Sequence, residues 1–69
     1  MSNAIHSRAL DKAFAKMTML GFDIERLRKD LKHGNTGGIT PEELEQVLEG
    51  TKKELKVWQY IAETIEKNN

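Results

Sequence analysis

Near its midpoint the chain reads Gly34-Asn35-Thr36-Gly37-Gly38-Ile39, a stretch that cannot continue a helix. Long runs with apolar residues at helical spacing lie on either side. Two helical arms of similar length, residues 3–33 and 41–67, are therefore expected to fold back on each other as an antiparallel hairpin. Each arm spans about 40–45 Å at ~1.5 Å per residue.

The second arm announces its own start. Thr40 can accept from the free amides of a first turn, Pro41 occupies the position where a missing N–H costs nothing, and Glu43 stands where a capping box requires a carboxylate. Ile39 and Leu44 are spaced for a hydrophobic staple. Beyond them Leu44, Leu48, Thr51, Leu55, Trp58, Ala62 and Ile65 form one apolar stripe, which Val47 and Ile61 widen. The pattern predicts a helix from Pro41 to about Glu66. Thr51, polar within that stripe, can bond back to the carbonyl of Val47. Gly50 lies off the stripe, where it would allow a close helix approach.

The first arm sends two messages. Leu10, Ala13, Met17, Leu20, Ile24, Leu27 and Leu31 keep a heptad spacing that favours one long helix. Against it, Gly21 suits the left-handed position after a helix end, Phe22 could pack back on Met17, and Asp23 could cap a following helix with Phe22 and Leu27 as its staple. We expect a break or sharp kink at Gly21-Asp23, giving three helices at about 3–20, 24–33 and 41–66. The fold class is all-α. Antiparallel pairing sets Leu31 near Leu44, Leu27 near Leu48, Met17 near Trp58 and Leu10 near Ile65.

Size then bears on what such a hairpin needs. The chain has 69 residues and a mass of 7.9 kDa, one small domain over 1–69. A folded protein of this mass keeps roughly 4,400 Å² exposed and buries only about 60% of its unfolded surface. No cysteine offers a disulfide or thiolate metal site, and His6 and His33 are too few and too far apart for a histidine-based metal cluster. Association with a second chain is the remaining route to a sufficient core. Two hairpins would bury their stripes as a four-stranded bundle, so a homodimer is expected.

The charge balance argues against a general polyanion binder: 11 basic and 11 acidic residues cancel. The halves differ, with seven Lys/Arg against four Asp/Glu in residues 1–33 and four against seven in residues 34–69. That split favours pairing the arms. No apolar run approaches the ~20 residues of a membrane span, and no signal-peptide core is visible, so no membrane role and a cytoplasmic location are expected. Ser2-Asn3-Ala4 matches a scar left by some expression vectors, and no function attaches to it.

No constellation for catalysis is visible. Glu42, Glu43, Glu45 and Glu49 crowd a helix start where the dipole favours them, but they converge with no His or Ser nucleophile. We expect no enzyme, no cofactor and no metal. The loop at Gly34–Gly38 lacks the Gly-Lys-Ser/Thr ending and the preceding strand of a phosphate cradle. Trp58, Met17, Met19 and Phe14 read as a sulfur–aromatic core cluster. The basic segment Arg26, Arg28, Lys29 and Lys32 complements a helix C-terminus, with Glu25–Lys29 as an i,i+4 pair. It has no interleaved aromatic to stack on bases, so nucleic acid is an alternative partner only.

What remains is a small interaction or regulatory protein that works through apolar helix faces, against itself or an unidentified protein partner. The residues expected to carry the interface are Leu10, Phe14, Met17, Leu48, Leu55, Trp58, Ile61 and Ile65. In size and expected shape the chain is similar to small plasmid and phage regulators. The likeness is one of architecture; no motif carries it, and no family follows from it.

Overall fold

The structure is a computed structural model and describes residues 4–68. Its two helices are α1 (Ala4–His33) and α2 (Pro41–Lys67), packed against each other as an antiparallel hairpin, with no strand among the described residues. The described part of the first arm is one helix, so the expected division into 3–20 and 24–33 does not occur. The proposed helix start at Asn3, with Ser2, lies outside the described residues.

The reason α1 runs through Gly21 is energetic. Glycine within a helix costs about 1 kcal/mol relative to alanine. A break there would disturb Leu20 and Ile24, which are 9% and 7% exposed. Burying a side chain of that kind is worth roughly 1.5–3 kcal/mol. Continuity therefore wins, and Gly21 does not adopt the positive φ that a helix-ending glycine needs. Asp23 caps nothing, and Phe22 stands 69% exposed instead of folding back on Met17.

The glycine that does end the helix is Gly34, at φ 68°. The Asn35 N–H donates to Asp30 O at 2.8 Å and the Gly34 N–H to Leu31 O at 3.3 Å. These are the two bonds of a Schellman cap. Gly37 and Gly38, at φ 62° and 93°, then turn the chain towards α2.

At the start of α2 the expected capping box is complete. The Glu43 N–H donates to Thr40 Oγ1 at 3.1 Å, and the Thr40 N–H donates to Glu43 Oε1 at 3.0 Å. Accepting from the backbone and hydroxyl of Thr40 holds the Glu43 carboxyl below the ordinary glutamate pKa. The stapling pair is uneven, with Leu44 buried and Ile39 still 41% exposed. Thr51 donates back to Val47 O at 2.8 Å as expected, and Thr18 and Thr64 make the same bond to Phe14 and Tyr60. At the far end Asn68 closes α2 through its backbone N–H and its side-chain amide, both directed at Thr64 O.

The core is a single seam between the helices: Ala13, Leu20 and Ile24 from α1, Leu44, Leu48 and Ala62 from α2. Ala13 is 0% and Ala62 is 3% exposed, the lowest values in that seam. The two alanines stand at similar distances from the loop and so face each other in an antiparallel pair. Small side chains there let the backbones approach closely, while the leucines fill the seam nearer the loop.

Candidate functional site

Of the residues expected at an interface, the hairpin buries Leu48 for itself. Leu10, Met17, Leu55, Trp58, Ile61 and Ile65 are half-buried. Phe14 is 45% exposed. The expected sulfur–aromatic cluster is thus reduced: Met17 and Trp58 remain in the seam, whereas Phe14 and Met19 point to solvent, Met19 at 62%.

Exposed apolar side chains also gather on the outer side of α1. Helical geometry at 3.6 residues per turn puts Phe14, Ala15, Thr18, Met19 and Phe22 on the side of α1 turned away from Ala13, Leu20 and Ile24. All five are exposed. The signal was present in residues 13–22, where Lys16 is the one charged residue and apolar side chains surround the helix. A helix apolar all round is ordinarily covered on more than one side.

The basic segment keeps Arg26, Arg28, Lys29 and Lys32 exposed. Glu25 pairs with Arg28 at 3.8 Å rather than with Lys29. At that distance and exposure the pair is worth little. The second ion pair, Lys52 Nζ to Glu49 Oε2 at 3.2 Å, is likewise within one turn, so neither pins one helix to the other. Among the described residues the charge difference between the arms thus has no cross-helix ion pair behind it.

A shallow open groove runs along the outer face of α2, lined by Glu42, Glu45, Gln46, Glu49, Gly50 and Lys53. It is made by one helix and owes its depth to the missing side chain at Gly50. Among the described residues no group of three or more His, Asp or Glu side chains converges to hold a metal. His33 is exposed, whereas His6 is half-buried, with its Nδ1 buried and unpaired. No described helix is long and apolar enough to cross a membrane. Compared with known proteins, the chain matches no family model, no curated protein and no solved structure.

Proposed function

We propose that the chain is a protein–protein interaction module that acts through its apolar helix faces and does so as a homodimer, with no catalytic role. The observation that supports this is excess surface. The chain exposes 5383 Å², where a compact monomer of its mass would expose roughly 4,400 Å². Its radius of gyration is 15.5 Å, against about 11 Å for a globular chain of this length. The surplus, roughly 1,000 Å², is the size of one partner's share of a standard interface, about 800 Å². Much of it is apolar: Ile5, Phe14, Met19, Phe22, Ile39, Val47, Val57 and Tyr60 are all at least 41% exposed.

Sedimentation equilibrium over a wide concentration range tests the reading. A mass rising from 7.9 kDa towards twice that value is the expected result, and a concentration-independent 7.9 kDa species removes the homodimer. The alternative, a nucleic-acid contact through Arg26, Arg28, Lys29 and Lys32, predicts a gel shift at low salt that reversal of those charges abolishes.

A further inference from the structure

The open flanks of the seam and the outer side of α1 are two different apolar surfaces, and the second has an order of its own. Asp11, Ala15, Thr18, Phe22, Glu25 and Lys29 step 4-3-4-3-4 along α1, and all six are exposed. That is a heptad spacing facing away from α2, with Ala15, Thr18 and Phe22 at its middle and charged residues at its ends. Two further facts mark its centre. Gly21 lies beside it in the interior of a continuous helix, and a methyl group added there would meet nothing within 4 Å. The hairpin itself therefore gives no steric reason for glycine at a position where it weakens the helix. The Thr18 hydroxyl already donates to Phe14 O at 3.0 Å, so an apolar group can cover it without leaving a hydrogen bond unmade.

We propose that the copy-to-copy contact of this chain is α1 against α1, antiparallel about a two-fold axis close to Gly21. Laid antiparallel with Phe22 of each copy over Thr18 of the other, the seam matches along its length. Ala15 meets Glu25, and Asp11 meets Lys29 at both ends. The two Gly21 residues flank the axis, where missing side chains let the helices come together. Charge sets the direction, because a parallel pairing would place Asp11 beside Asp11 and Lys29 beside Lys29. The costs are Glu25 of each copy laid against Ala15 of the other, and Lys12 of one copy beside Arg26 of the other, a like-charged pair at the rim. A second copy suits this face because its charged ends complement each other in the antiparallel pose and zero net charge leaves no overall repulsion between copies.

The inference rests on the interaction-module reading and is tested on the full chain by sedimentation equilibrium, with circular dichroism as the check on fold. Phe22→Lys lies outside the hairpin core, so helicity should be retained while the dimer dissociates at least tenfold more readily. Asp11→Lys should weaken the dimer, and Asp11→Lys with Lys29→Asp should restore it, since the pairs re-form with signs exchanged. Gly21→Ala gives opposite signs in two readouts: thermal stability at concentrations where the chain is monomeric rises, while association weakens. A dimer unaffected by Phe22→Lys overturns the inference, as does failure of the double charge exchange to rescue. A dimer that survives Phe22→Lys but is lost in Ile61→Lys, with helicity intact, refutes the α1 contact and leaves the proposed function standing. An unsubstituted chain that stays monomeric overturns both.

Discussion

Ala13→Leu tests how the two helices meet. Ala13 is fully buried and faces the position of Ala62, itself 3% exposed. Leucine adds three carbons. If the seam could accept them, burial at ~0.8 kcal/mol per carbon would stabilise the hairpin by roughly 2.4 kcal/mol. If the backbones are in close approach, the same carbons force them apart or into strained rotamers, a cost of typically 1–3 kcal/mol. The two outcomes have opposite sign. A seam closed by facing alanines selects the second, and we expect Ala13→Leu to lose about 2 kcal/mol. For a chain of this length that corresponds to a fall in Tm of about 8–16 °C. Thermal unfolding followed by circular dichroism measures it, at one fixed concentration because association raises apparent stability. Phe14→Leu, one residue away and outside the seam, is the control and should change the stability of the monomer by less than about 0.5 kcal/mol. An Ala13→Leu chain as stable as the parent, or more so, would refute the close approach and with it the account of why alanines occupy that level.

Four further outcomes follow from the cap, the loop and Gly50. Thr40→Ala removes the acceptor for the Glu43 amide and should cost about 1 kcal/mol, with hydrogen exchange at the first turn of α2 rising more than elsewhere. Because the Glu43 carboxyl titrates below its ordinary value in the folded chain, its contribution to stability is complete above the ordinary glutamate pKa and fades as pH falls through the lowered one; acid titration of Thr40→Ala should show that part of the pH dependence reduced. Gly38→Ala places a Cβ at φ 93°, where L residues are strained, and should destabilise by about 1–2 kcal/mol, measured by urea unfolding; Gly50→Ala, in a helix with open space around it, should instead stabilise by up to about 1 kcal/mol.

What could be read from the residues depended on how local the controlling chemistry is. The start of α2 is set within four adjacent residues, with Thr40 and Glu43 satisfying each other and Pro41 at the first helical position, so Thr40-Pro41-Glu42-Glu43 could be read directly. The hairpin also followed, since two heptad stripes of similar length joined by a glycine-rich loop can cover each other. Gly21 was harder. Its neighbours offer every local signal of a helix end, and the decision against it is taken by α2, which needs Leu20 and Ile24 on one straight face. The same cap chemistry was present at Gly34, where nothing across the seam opposes it. Phe22 follows for a related reason: once the helix continues, its side chain rotates away from Met17 and out to solvent. His6 stands near the start of α1, yet its Nδ1 is buried, which no spacing in the sequence could indicate. The outer seam of α1 escaped notice because its centre mixes threonine and alanine with aromatic residues, and because a stronger stripe on the same helix accounts for the fold without it.

The near-equal lengths of the helices, 30 and 27 residues, bring both described chain ends to one pole of a rod 51 Å long, with the glycine loop at the other. Anything joined to either end of the chain would hang from that pole and leave both helix flanks clear. In two copies laid antiparallel along α1, those poles point in opposite directions. Cargo fused to the ends would then be held apart at the extremities of the rod rather than side by side, and fluorescence transfer between fused labels would read that separation directly.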